Sequence, residues 1–403
     1  MPTNGATIQA GRTGPAFAVA RSGKALRVRI AMVQGGAAPE LDGVADYTDH
    51  LVTALEVAGA AVRPVRFDGL LDAARRLRSL RPDVVHVQFA PSAFGFSPRV
   101  GLLPDLLGAP VVSTLHEYGW WSAPAAVPDR CWRVLERRRS FDRETWRLAP
   151  AGAAAITTND GHARRLRERL GLGAVLIPLA PNVPDLGPRP RDAVRRELDL
   201  PVDAQVVAFF GFVHPVKGLR YLIEALAALR AEGRDRLHLL VLGGFTSLAL
   251  PAAEAAAFRA ELVERARACG VAEHVTITGH LAADRVSAAL HAADLAAFAF
   301  TAGGTTKSGA LLSALAHRLP TVVTAAEPAD PELIDGETVV LARRVRDAPA
   351  LSDALRRLLD DPTLRSRIAA GGAALTANRT WPRIADAHLA LYADVLGAVR
   401  GGA

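Results

Sequence analysis

What most constrains this chain is a repeated change of hydrophobic period. Short apolar runs of strand length alternate with longer stretches whose apolar residues recur at three- and four-residue spacing. Strand-like runs are expected at residues 27–33, 62–67, 84–89, 110–115, 153–158 and 175–178. Helices are expected near 44–58, 70–80, 127–148 and 160–170, the first with Val44, Tyr47, Leu51, Leu55 and Ala58 on one face. Strand, helix, strand in succession implies a parallel sheet covered by helices on both faces. Ligands of such sheets sit beyond the carboxyl ends of the strands, so the informative residues are those that follow each strand.

The alternation breaks once, at residues 178–190, where five prolines fall in thirteen residues and read as a linker. Beyond it the pattern restarts with strands near 206–210, 237–242 and 275–278 and helices near 217–230, 252–269 and 284–292. Two more helices are expected between 347 and 377, and a last one at 381–399. The expected architecture is α/β, with two doubly wound Rossmann-like domains facing a central cleft. Residues 26–183 form the first and 184–380 the second, while 381–403 pack back on the first; residues 1–25 read as a disordered tail. With 403 residues, half of them apolar, both domains can bury a sizeable core. Two distant cysteines make no disulfide framework and no metal-ligand pair, the histidines are scattered singly, and no run is apolar enough to span a membrane. A cytoplasmic protein without a metal or other cofactor is the expectation.

The net charge of +7 is carried almost wholly by arginine, since the only lysines are Lys24, Lys217 and Lys307. Lys217 and Lys307 both fall in glycine-bearing loops, where a compact ammonium suits a phosphate. Lys307 lies in the stretch 296–324, which reads as strand, loop, helix, strand. Its loop of Gly303, Gly304, Thr305, Thr306, Lys307, Ser308 and Gly309 can aim N–H groups, hydroxyls and one cation at a single point. The alternative is an ordinary turn with a Ser or Thr N-cap. The basic runs at 75–76, 137–139 and 164–169 are interleaved with Leu, Glu or Asp on helices. A solvated face explains them better than a peripheral membrane surface, and no nucleic-acid motif is present.

Four segments together resemble the GT-B fold glycosyltransferases, in particular family 4 of the nucleotide-sugar transferases. Asp42-Gly43-Val44 with Tyr47 and Leu51 resembles that family's first glycine loop and helix. Residues 210–226, with Gly211, His214 and Lys217, resemble its donor-phosphate segment, and 274–280, ending in Gly279 and His280, the strand that holds the nucleotide base. Residues 313–320, from Ser313 to Pro320, resemble its late helix and Leu-Pro turn. The likeness covers nearly all of the chain after residue 26. It implies a nucleoside-diphosphate sugar as donor, bound by Gly43, Gly211, His214, Lys217, Gly279, His280, Thr305, Thr306, Lys307, Ser308, Gly309 and Ser313. Two glutamates usual in the family fall here on Thr305 and Ser313, and a usual arginine falls on Phe212, so the donor's ribose and sugar must be held differently.

Departure of a diphosphate concentrates negative charge, and Lys217 and Lys307 are the cations expected to meet it. His116 follows an apolar strand and should face the cleft; in the family a histidine there touches the donor sugar. Glu117 is the nearest candidate base. Four of the five tryptophans lie between 120 and 146, and Phe89, Tyr118, Trp120 and Trp121 are candidates to bind an acceptor, either a small aglycone or a glycan. Competing readings are a nucleotide-sugar epimerase, a phosphorylase and an inactive sugar-nucleotide binder.

Overall fold

The computed structural model describes residues 28–36, 42–245 and 250–401, so the expected tail at 1–25 lies outside the described residues. The first unit contains β1 (Arg29–Gln34), α1 (Gly43–Val57), β2 (Ala61–Arg66), α2 (Leu70–Leu80), β3 (Val84–Phe89) and α3 (Leu103–Leu106). It continues through β4 (Val111–Leu115), α4 (Asp129–Arg137), α5 (Leu148–Ala151), β5 (Ala154–Thr157), α6 (Asp160–Leu170) and β6 (Val175–Leu176). The second contains α7 (Arg191–Glu197), β7 (Gln205–Phe210), α8 (Leu219–Ala231), β8 (Leu237–Leu242), α9 (Ala252–Ala268), β9 (Val275–Ile277) and α10 (Ala283–Ala292). It closes with β10 (Leu295–Phe298), α11 (Gly309–Ala316), β11 (Thr321–Thr324), β12 (Val340–Ala342), α12 (Ala348–Asp360), α13 (Pro362–Thr376) and α14 (Trp381–Gly401).

Both sheets are parallel and six-stranded, in the orders β2-β1-β3-β4-β5-β6 and β12-β11-β10-β7-β8-β9. Residue choice follows position. Every residue of β3 and of β8, both interior strands, is buried, as strands covered on two faces require. Pro64 is confined to β2, which pairs only with β1, so its missing N–H costs no ladder bond on the open edge. The strand order reverses between β1 and β3 in the first sheet and between β7 and β10 in the second, opening a crevice at the carboxyl end of each.

Two expectations need correction. The single helix over 127–148 is instead α4, an irregular segment and α5. The buried Asp142 carboxylate accepts the backbone N–H groups of Glu144 and Thr145 and the Thr145 hydroxyl, offering the chain a turn in place of helical bonds. The proline-rich linker also holds more order than expected, since Pro190 leads directly into α7.

α14 lies on the first sheet, where Ile384, Ala385, Tyr392 and Val395 share one apolar cluster with Met32, Leu51, Leu55 and Val84. The Tyr392 hydroxyl meets His86 Nδ1 at 2.6 Å inside that cluster, and His86 Nε2 meets the Thr114 hydroxyl at 2.8 Å. Mid-strand His86 is thus a fully partnered core histidine, as its apolar strand suggests. Tyr392→Phe keeps the ring packing and leaves His86 Nδ1 only the longer contact of 3.4 Å to Gln88 Nε2. It is expected to lower stability by about 1–3 kcal/mol in chemical denaturation; a variant as stable as the parent would show that this bond carries nothing.

Candidate functional site

The crevice of the second sheet is built from two loops that lock into each other. After β7 the chain runs Gly211–Gly218, and after β10 it runs through 299–308 into α11. The Thr301 N–H donates to Val216 O at 2.9 Å, and a side chain on Gly218 (φ 71°) would sit 1.8 Å from Ala299 O. Only glycine satisfies both that backbone angle and that approach. Lys217 is thereby fixed at the crevice, its Nζ 4.8 Å from the centre of the Phe300 ring. Burial pushes its ammonium down to about 8, and nearby Lys307 adds to the shift. His214 caps the short turn before it, its Nδ1 accepting the Val216 N–H at 3.2 Å.

The loop of 303–309 divides its polar groups between two tasks. Ser308 caps α11 by accepting the Leu311 N–H, so the N-cap reading of this residue holds. Thr306 is buried. Its N–H donates to Asp330 at 2.8 Å and its hydroxyl lies 3.0 Å from Asp330 and 3.1 Å from Glu332, which in turn pairs with the nearly buried Arg379. The donor-binding role expected of Thr306 is therefore corrected: it anchors the loop from behind. Lys307 is exposed, and Thr305 is half-buried beside it.

Across the cleft, the first unit contributes the ends of β4 and β5 and the start of α1. His116 donates from Nε2 to Gln88 Oε1 at 2.8 Å and packs edge-on against Tyr47, their ring centres 4.8 Å apart. Burial drives its imidazolium down to about 3, so the ring is neutral at physiological pH with its lone pair on Nδ1. Glu117 is raised by burial, against the pull of Lys307 and with a push from Asp42. Lys307 thus reaches Glu117 on one side and Lys217 on the other. Asp42 caps α1 through the Val44 N–H, and among the described residues no atom lies within 4 Å of where a Gly43 side chain would sit. Gly279 and the exposed His280 follow β9, and Gly279 bridges Gly243 at the end of β8; His280 acts electrostatically on Asp46 of α1. Gly211 (φ 127°) lies beside the start of α11, where a side chain on it would come 3.4 Å from the methyl of Ala310.

Sequence reasoning missed Asn159 and His162. Asn159 caps α6 by accepting the His162 N–H at 2.9 Å, and His162, lowered to about 4 by burial with Lys307 contributing, places a second neutral imidazole in the cleft. Their signal was available in the polar Thr-Asn-Asp-Gly-His run that directly follows β5.

Three further expectations are corrected. Ser313 is fully buried; its hydroxyl donates to Gly309 O at 2.8 Å and accepts the Val183 N–H at 3.0 Å, so it holds the linker and is turned away from any ribose. Phe89 is core, stacked on Phe94, and Tyr118 is core, its hydroxyl donating to Asp142 at 2.8 Å under the Arg169 guanidinium. Neither faces an acceptor, because the buried carboxylates of Asp142 and Glu144 draw this loop inward, Glu144 taking both the Gly119 N–H and Arg169. The histidines are not all solitary either, since Asp185, His291 and His317 come together. Trp120 is 59% exposed and Trp121 half-buried, both against the exposed Phe96 at 6.2 and 6.0 Å between ring centres.

Two consecutive stretches match families of known proteins: residues 18–187 match Glycosyltransferase Family 4, and residues 204–361 match Glycosyl transferases group 1. Taken together the two matches span most of the chain, and both are to glycosyltransferases. The enzyme is 29% identical over 343 residues to a D-inositol 3-phosphate glycosyltransferase of Actinosynnema mirum, covering 82% of this chain and 77% of that one. It is 32% identical over 207 residues to a protein of that name from Stackebrandtia nassauensis, covering 51% of this chain and 45% of the other. Among solved structures, Anabaena HepE in complex with UDP and glucose superposes with a TM-score of 0.68 at 16% identity, over 91% of this chain and all of that one. The GT-B fold is thus shared, two Rossmann-like units that face each other.

Gly309 opens α11 where the linker crosses it: a side chain there would lie 1.4 Å from Asn182 Oδ1, and Asn182 Nδ2 donates to Asp46 at 2.6 Å. Gly309→Ala must therefore push Asn182 away and break its tie to α1. In the double variant Gly309→Ala/Asn182→Ala most of the loss should return, a coupling of about 0.5–3 kcal/mol by thermal or chemical denaturation. Strict additivity would show that the two residues do not meet.

Proposed function

We propose that this glycosyltransferase takes a nucleoside-diphosphate sugar as donor and transfers the sugar to a small-molecule acceptor. The observation that carries the reading is the convergence of Lys217 and Lys307 on one crevice. They are the only lysines among the described residues, and each bears on the other electrostatically. Two ammonium groups that repel each other across one crevice favour an anion between them. The start of α11 and the loop amides add N–H dipoles at the same point, the arrangement that stabilises a departing diphosphate as its charge grows. HepE, alike in fold, is described with UDP in place. Neutral His116, with Nδ1 free to accept, suits a sugar hydroxyl. Glu117 is the nearest carboxylate to take the acceptor's proton, held above its usual range by burial. On this reading Gly211, His214, Gly279, His280, Thr305, Ser308 and Gly309 line the donor side, with Gly43 opposite.

The acceptor is placed beside Trp120 and Trp121, where an apolar or ring-shaped face can stack with Phe96 at its edge. The names of the inositol-phosphate relatives favour a second reading, a phosphorylated polyol. Trp120→Ala separates the two: an aglycone acceptor should lose affinity sharply, a polyol phosphate little.

Lys217→Ala is expected to weaken nucleoside diphosphates by about 1.5–3 kcal/mol in calorimetry. The pH dependence has a definite sign. Lys217 binds the anion as ammonium, and its value in the free enzyme is near 8, so diphosphate affinity should be full below pH 7 and fall as pH rises through about 8. Lys217→Ala should flatten that fall. Affinity unchanged by the substitution would move the phosphate site elsewhere. Lys307→Met should weaken all nucleoside diphosphates alike and leave bare nucleosides unaffected, since it reads charge and not the base.

A further inference from the structure

The geometry points to a second site, away from the sugar-transfer cleft, that binds a divalent transition-metal cation of the zinc type through Asp185, His291 and His317. One ligand atom from each of the three residues lies within 4.8 Å of the others. They come from three separate elements: Asp185 from the linker between the domains, His291 from the last turn of α10, and His317 from the C-cap of α11. Two imidazoles and one carboxylate form a ligand set that suits zinc and its neighbours and leaves a coordination position for water.

Two independent features favour a cation there. His317 is buried, and its Nδ1–H donates to Ser313 O at 2.7 Å, which fixes the tautomer and leaves Nε2 as the acceptor aimed into the cluster. A backbone carbonyl behind the far nitrogen is the usual support of a metal-bound histidine. The second feature is that α10 and α11 both end here, so the partial negative charges of two helix C-termini meet the Asp185 carboxylate at one point. Among the described residues, no lysine or arginine is hydrogen-bonded or ion-paired to the three groups.

At present two protons hold the cluster together. His291 Nε2–H donates to Asp185 Oδ1 at 2.6 Å, and the Ser287 hydroxyl donates to His317 Nε2 at 2.8 Å while accepting the Leu186 N–H at 3.1 Å. A cation would replace both. His291 would present Nε2 with its proton moved to Nδ1 or to water, and Ser287 would keep its bond from the linker. Tetrahedral ligand atoms about 2.0–2.1 Å from zinc lie about 3.3 Å apart, so the cluster must contract. Asp185, on the linker, and His291, on a helix edge, are the arms that turn toward the fixed His317. The cation would then pin the linker to the foot of α11, whose other end opens on the diphosphate crevice.

The test uses the full chain, freed of metal by a chelator and titrated with zinc chloride by calorimetry. One saturable zinc per chain and a raised thermal midpoint are expected, with cobalt giving visible absorption bands of a nitrogen- and oxygen-ligated ion. Asp185→Asn and His291→Gln preserve hydrogen bonding on the accessible side. Each should weaken zinc at least tenfold, abolish the midpoint shift and keep the metal-free midpoint, while His274→Gln, on the far edge of the sheet, should change nothing. Zinc bound with equal affinity by the parent and both variants, or no saturable binding and no cobalt bands in the parent, would overturn the proposal.

Discussion

The structure depends on how the linker between the two units gives up its N–H groups. In three steps Asn182 donates toward Gly309 O at 3.4 Å, Val183 to the Ser313 hydroxyl and Leu186 to the Ser287 hydroxyl. The prolines at 181, 184 and 188 carry no N–H, so the donors of this segment fall on the residues that face α10 and α11. A proline-rich connection would ordinarily be a loose tether. Here it is zipped to the two helices that frame the second domain's crevice, and the Asn182 side chain reaches the first domain through Asp46. These few bonds tie the linker to both domains beside the loop that opens α11.

The chemistry follows from what the packing leaves charged. Arginine serves nearly every surface ion pair, which leaves lysine for the crevice, where a point charge suits a phosphate better than a fork does. Burial then works in opposite directions on the cationic and the acidic groups of the cleft. It lowers Lys217, His116 and His162 and raises Glu117 and Asp42. A cleft so arranged carries two neutral imidazoles, a carboxylate held above its usual range and an ammonium that titrates near neutrality, all groups that can exchange protons or charge with a substrate at modest cost.

The fold was legible because periodicity reports burial, and burial is what a parallel sheet requires. α2 and α6 fall where their apolar spacing places them, and the repeated strand–helix–strand units make both sheets parallel. Side-chain direction was not legible. Ser313 stands at a family position and Thr306 next to one, in the helix and loop of the second crevice, yet both point backward, one to the linker and one to Asp330. Nothing local distinguishes a hydroxyl facing a ligand from one facing a carboxylate 24 residues away. Phe89 and Tyr118 failed for the same reason, since the groups that draw the Tyr118 loop inward, Asp142 and Glu144, belong to a segment whose apolar spacing mimicked a helix. His291 and His317 were hidden by the 106 residues that separate Asp185 from His291, a separation that only the folded crossovers close.

The return of α14 to the first sheet means that the backbone passes between the two units twice, once at the linker and again just before Trp381. A body held by one strand of chain can swivel about it in any direction. A body held by two can turn freely only about the line that joins them, as a door turns on a pair of pins. The ring of Trp381 lies stacked on His50 of α1, 4.9 Å between centres, so one of those pins is seated directly on a helix of the first unit. Any relative motion of the two units has to turn about both crossings at once.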